Sequence, residues 1–238
     1  MKIKQKNTID MTHGTLWNKL LLFALPLAAS SILQQLFNSV DTAVVGRFAS
    51  SRALAAVGSN SSLIALMINL FIGISLGSNV IISRYIGQKA EEHVKGAIHT
   101  AIVVALCSGI FVLVLGQFIA RPVLTLMGTP KDVLDLAVLY LRIYFLGMPF
   151  IMLYDFSSSI LRSIGDSRRP LYALIAAGII NTGLNLILVI VFHLGVSGVA
   201  IATVVSNIVS SGILFYILLH EQEPILSLIH ISEPTRPL

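Results

Sequence analysis

Apolar residues run along this chain in stretches of helix length, separated by short polar connections. The first, residues 20–45 (LLLFALPLAASSILQQLFNSVDTAVV), is long enough to cross a bilayer, since about 20 residues at ~1.5 Å rise cover the ~30 Å hydrocarbon layer. Five more follow, at residues 54–82, 96–118, 133–160, 171–192 and 199–219. These runs are too long and too continuously apolar for the alternating ten-residue strands of a membrane barrel, so the spans are α-helices that satisfy their own backbone hydrogen bonds. The predicted fold is all-α, a polytopic membrane helical bundle of six transmembrane helices.

Polar residues interrupt these spans in a pattern of their own. The first carries Pro26, Gln34, Asn38 and Asp41, and an acid inside a span costs about 2.5–3.5 kcal/mol on insertion scales. On a helical wheel Ser30, Gln34, Asn38 and Asp41 share an arc of about 80°. Such a wet face either glues the helix to a neighbour or lines a pathway for a solute or ion. Pro26 removes one backbone hydrogen bond and predicts a kink that could serve as a hinge. In the second span Asn60, Asn69 and the small-xxx-small pair Gly73 and Gly77 predict close helix packing. The third carries only His99 near one end, read as an interfacial residue. In the fourth, Tyr140, Tyr144, Gly147, Tyr154 and Ser158 form a stripe about 80° wide, with Arg142 off it. The fifth places Gly178, Asn181 and Asn185 on one face, and the sixth does the same with Thr203, Asn207 and Ser210.

Composition agrees with a membrane protein: 55% hydrophobic, 11% charged and a mean hydropathy of +0.88 over 238 residues. The formal charge of +5 could suggest nucleic acid, but the basic residues sit between spans, where topology accounts for them, so no nucleic-acid partner is expected. Lys2, Lys4, Lys6, Lys19, Arg84, Lys89, Lys95, Arg162, Arg168 and Arg169 fall on one side, against Arg47, Arg52, Arg121 and Lys131 on the other. The positive-inside rule then puts the N-terminus in the cytoplasm of a cell with a bacterial-type inner membrane, with Trp17 and Lys19 as interfacial anchors. Residues 83–95 read as a cytoplasmic connector with some amphipathic surface helix. Arg121 and Pro122 read as part of an outer loop. The single cysteine, Cys107, reads as a buried small hydrophobe and excludes an internal disulfide. No HExxH motif, Cys–His pair or paired catalytic acids appear, so neither an enzyme nor a cofactor is expected.

Three regions follow: a cytoplasmic segment at 1–19, a six-helix lobe at 20–220, and an end at 221–238. Residues 226–236, LSLIHISEPTR, match the in-frame translation of a sequencing adapter, so 226–238 is read as non-native sequence and set aside from fold reasoning.

The segments ALPLAASSILQQLFNSVDTAVVGR, LMGTP, YLRIYFLGMP and above all LRSIGDSRRP followed by a polar fifth span resemble the multidrug and toxic compound extrusion (MATE) family. That resemblance covers residues 12–220 and implies the N-terminal lobe of a twelve-helix transporter, with a cation site between its helices. Asp41 matches the family's first-span acid and Pro26 its bending proline. Gln34, Tyr140, Asn181 and Thr203 match positions lining the lobe's cavity or ion site. Asn185 departs from better-known members, which carry a second aspartate there; its amide still offers an oxygen to a hard cation. The expected function is export of organic, cationic or amphipathic compounds against H⁺ or Na⁺ by alternating access. Asp41, Asn181, Asn185 and Thr203 would hold the coupling ion, Na⁺ at Asp41 if it is a metal, and Gln34, Asn38, Tyr140, Tyr144 and Asn207 would line the cavity. The expected partners are the bilayer, a small-molecule substrate, and a missing C-terminal lobe or a second copy. Two alternatives stay open: a lipid-linked oligosaccharide flippase of the same superfamily, and a truncated fragment without transport.

Overall fold

A computed structural model of the chain describes residues 16–220. The end at 221–238, and all but the last few residues of the proposed 1–19 segment, lie outside the described residues. The order is α1 (Leu16–Phe48), α2 (Ser51–Gly87), α3 (Glu91–Leu126), α4 (Lys131–Leu146), α5 (Met148–Ser163), α6 (Arg168–Leu186), a π-helical turn (Ile187–Val191) and α7 (Gly195–His220). Five of these segments are long and apolar enough to cross a membrane, and α4 with α5 makes a sixth. We term the face holding the turns at 49–50, 127–130 and 192–194 distal, and the face holding those at 88–90 and 164–167 proximal.

Local chemistry sets the ends. Ser50 caps α2 by accepting a hydrogen bond from the Ala53 amide at 3.2 Å. Glu91 and Glu92 occupy the first turn of α3, where the helix dipole favours anions. Gly128, with φ 76°, closes α3 in the left-handed conformation that glycine tolerates.

The fourth span departs from the continuous helix predicted for 133–160. It breaks at Gly147 and bends by 48° between α4 and α5. Pro149 has no N–H to offer the Phe145 carbonyl and is suited to the first turn of a new helix. The five-residue stripe is therefore split. Tyr140 and Tyr144 stay together with ring centroids 6.2 Å apart, whereas the Tyr154 hydroxyl donates to the Pro170 carbonyl at 3.2 Å. By contrast, α1 passes through Pro26 as one helix, Leu16–Phe48.

Packing centres on α5, flanked by α2, α3 and α7, while α1 rests mainly on α6. Close approach occurs at glycines other than those expected. A Cβ on Gly109 would lie 2.5 Å from Pro149 Cα, and one on Gly116 or Gly178 would collide with the ring of Phe145 or Phe37. Gly73 and Gly77 have nothing within 4 Å, because α2 turns a different face inward. That face is polar. Asn60 donates to the Ala56 and Ala137 carbonyls at 2.8 and 3.0 Å, and Asn79 to the Ser159 carbonyl at 2.9 Å. Ser159 in turn donates to the Ser75 carbonyl. Asn69 is exposed.

Three further expectations are corrected. Only residues 88–90 separate α2 from α3, with no surface helix, because both helices continue through the charged stretch and Lys89 (φ 56°) makes the turn. Arg121 and Pro122 lie within α3, where Arg121 pairs with Asp135 of α4. Cys107 is exposed on the same outward face as Val103, Ile110 and Val114, so it faces the surroundings of the bundle rather than its core.

Candidate functional site

Three helices bring polar side chains to one place in the distal half of the bundle. Asp41 lies seven residues before the end of α1, about 10 Å from that end at ~1.5 Å per residue. Its side chain is buried, with 7% of the residue exposed. From α6 the Asn185 amide donates to Asp41 Oδ1. From α7 the Thr203 hydroxyl lies 3.3 Å from Asp41 Oδ2 and 3.0 Å from its own Val199 carbonyl.

A second ring of contacts holds the first. Asn185 Nδ2 reaches Asn181 Oδ1 at 3.1 Å, one helical turn away, and Asn181 Nδ2 approaches Thr203 Oγ1 at 3.5 Å. Asn207 donates to the Thr203 carbonyl at 2.8 Å and so braces α7 beneath it. The Asn185 side chain is fully buried, yet its Oδ1 has no partner. A buried amide oxygen without a donor is costly and is the type of ligand a hard cation takes. Asp41 and Asn181 each turn a side-chain oxygen to the Asn185 amide nitrogen, and the Thr203 hydroxyl approaches the other Asp41 oxygen.

The helix that carries both asparagines, α6, is marked at each end. At the proximal end Asp166 is fully buried and accepts from the Arg168 and Arg169 amides at 3.0 and 3.1 Å, capping α6. At the distal end the π-helical turn Ile187–Val191 begins two residues after Asn185, and such turns often sit beside functional groups. Phe37 seated on Gly178 sets the distance between α1 and α6.

Of the nine residues expected at the site or cavity, four form this cluster: Asp41, Asn181, Asn185 and Thr203. Asn207 supports it from α7. Tyr140 and Tyr144 are buried on α4. Gln34 and Asn38 are exposed on α1 and stand apart from the cluster, although they share its face on a helical wheel. Ser30, on the same arc, is buried and bonds back to the Pro26 carbonyl at 2.8 Å.

Sequence reasoning missed two features here. A groove of about 290 Å³ opens on the distal face, lined by Phe48, Ala53, Leu136, Val189, His193 and Val196, and Val189 sits one turn beyond Asn185. Asp155, on α5, places a second carboxylate among the buried spans. A larger groove of about 550 Å³ lies between α2 and α3, lined by Tyr85, Glu92 and His93. It holds none of the groups that meet at Asp41.

The chain is 35% identical over 222 residues to the probable multidrug resistance protein YoeA of Bacillus subtilis (strain 168), an alignment covering 92% of the chain and 48% of YoeA. It is 25% identical over 216 residues to the multidrug export protein MepA of Staphylococcus saprophyticus, covering 91% of the chain and 48% of MepA. Among solved structures, one of MATE in the bent conformation superposes with a TM-score of 0.83 at 24% identity, over 89% of this chain and 47% of that one. An outward-facing multidrug resistance MATE family transporter of the MOP superfamily gives a TM-score of 0.80 at 24% identity, over 89% and 50%. The chain thus spans about half the length of the relatives it matches. The MatE family model matches residues 26–187, from the proline of α1 to the start of the π-helical turn, and the chain belongs to the MatE family.

Proposed function

We propose that this lobe binds the coupling ion of a cation-driven exporter, with Asp41 as the acid that a proton or Na⁺ occupies in turn. The observation that carries this reading is the Asp41–Asn185–Asn181–Thr203 cluster, in which a buried carboxylate meets donors from two other helices while one amide oxygen stays unpartnered. Helices that converge on one charge move relative to each other when that charge is neutralised, because the hydrogen bonds that hold them change strength. Binding at Asp41 therefore biases the α1–α6–α7 arrangement. Pro26, within α1, is the place where such a bias can bend the helix.

The distal face is the outer face by the positive-inside count, so the ion enters from outside. The cargo is an organic cation or amphiphile; among the relatives, YoeA is named a probable multidrug resistance protein and MepA a multidrug export protein. It passes between this lobe and a second one, which is absent from this chain. Gln34 and Asn38, exposed on α1, lie on the side that such a cleft would wet.

The test uses the lobe joined to its second half in proteoliposomes. Asp41→Asn should abolish efflux driven by a proton or Na⁺ gradient while membrane insertion and Tm are kept. Gradient-driven efflux that persists in Asp41→Asn would overturn the assignment. Export of cell-wall precursors in place of drugs would point to the flippase alternative.

A further inference from the structure

The proximal half of the bundle contains ionisable groups that the Asp41 site does not use. Asp155 lies on α5 eight residues before its end, and Arg162 lies two turns further on the same face. Asp155 Oδ2 is shut off from solvent with no hydrogen-bond partner, and so is Arg162 Nε. A carboxylate oxygen and a guanidinium nitrogen are thus both buried on one face without meeting. Leaving two such groups apart and unsatisfied is expensive unless another species completes at least one of them.

The surroundings narrow that species. Arg162 and Tyr154 share α5 with Asp155, and Tyr144 is buried on α4 before the Gly147 break. The buried faces of α2, α3, α6 and α7 contribute no ionisable side chain among the described residues. The two described grooves of 290 and 550 Å³ do not include Asp155. A proton needs no cavity, whereas an organic cation does.

We propose that Asp155 is a second proton-binding carboxylate of the lobe, set in its proximal half, with Arg162 positioning its charge. No bond other than O–H is made or broken. The inference rests on the reading of Asp41 as the coupling acid, but the two can fail separately.

Infrared difference spectra of the chain in lipid vesicles, taken across pH, read the protonated-carboxyl band directly. The expected result is a two-component band in the unmodified chain. Asp155→Asn should remove one component and Asp41→Asn the other, Asp155→Glu should shift the Asp155 component in frequency, and Arg162→Gln should move the pH at which it appears. In the two-lobe transporter, Asp155→Asn should lower proton-driven efflux about fivefold or more while leaving substrate exchange without net proton movement intact. A carboxyl band unchanged in both Asp155→Asn and Asp155→Glu would overturn the proposal. So would equal loss of exchange and driven efflux, which marks a structural role. Failure of Asp41→Asn to affect coupling would strike the function reading alone, since the Asp155 component is scored independently.

Discussion

Asp41 and Asn185 are 144 positions apart in sequence and share a hydrogen bond in the interior of the bundle. That bond joins α1 to α6, and Asn185 is at once a donor to Asp41 and to Asn181. Replacing it with alanine removes the donor and leaves the buried acid with the Thr203 hydroxyl alone. Asn185→Ala should lower stability by about 1–3 kcal/mol, read as a drop in detergent melting temperature. Asn185→Asp, which sets a second acid at the position, should strengthen Na⁺ binding at high pH, because Na⁺ is then shared by two carboxylates. Calorimetric titration with NaCl tests this, and unchanged affinity would count against a cation at this site.

Thr203 supplies the remaining hydrogen bond to Asp41 and can be removed without changing shape. Thr203→Val should weaken ion binding and cost about 0.5–1.5 kcal/mol, while Thr203→Ser should behave like the parent. Equal behaviour of the two variants would show that the 3.3 Å contact contributes nothing.

What the sequence revealed about this site follows from helical periodicity. Asn181 and Asn185 are one turn apart on one helix, so their common face was legible, and Asp41 announced itself by its cost in a membrane. Which helices meet is a long-range matter that periodicity does not encode. Gln34 and Asn38 satisfy the same wheel as Asp41 yet stay exposed, since α1 contacts α6 and α7 along only part of its length. The break at Gly147 was obscured because the span reads as one apolar run and its Gly-Met-Pro signal is weak by itself. Gly73 and Gly77 misled for a related reason. A small-residue pair permits close packing but does not say which face turns inward.

The glycines therefore make a discriminating test of packing. A Cβ at Gly109 would press on Pro149 backbone, which cannot rotate away as a side chain would, so Gly109→Ala should destabilise by about 1–3 kcal/mol. At Gly73 nothing lies within 4 Å, and Gly73→Ala should be neutral or stabilising by about 0.5–1 kcal/mol through helix propensity. Resistance to SDS unfolding ranks the two. The reverse order would mean that α2 and not α3 carries the close contact.

Cys107 offers a spectroscopic check that needs no new cysteine. It is exposed on α3 beside Val103, Ile110 and Val114. A nitroxide attached there should be mobile and collide with dissolved oxygen far more than with a water-soluble nickel chelate. A strongly immobilised label, shielded from both, would place Cys107 in the core as the apolar run alone suggested.

The segment LRSIGDSRRP has a structural account that its charges hide. Asp166 is fully buried, accepts from two α6 amides and lies 3.1 Å from Arg169 Nε through its other oxygen. It therefore caps α6, the helix that carries Asn181 and Asn185, and holds an arginine at the membrane edge. Tyr154 adds a bond to the Pro170 carbonyl just beyond, tying α5 to the same turn. Substitution separates these roles. Asp166→Asn keeps an oxygen for the cap and loses the charge, so it should cost less than Asp166→Ala, which loses both and should cost about 2–3 kcal/mol. Because α6 positions the amides around Asp41, Asp166→Ala should also weaken Na⁺ binding despite lying at the opposite face of the bundle. Melting curves with and without NaCl measure both effects. Full stability in Asp166→Ala would mean that α6 is held by its packing against α1 and α7 and not by its cap.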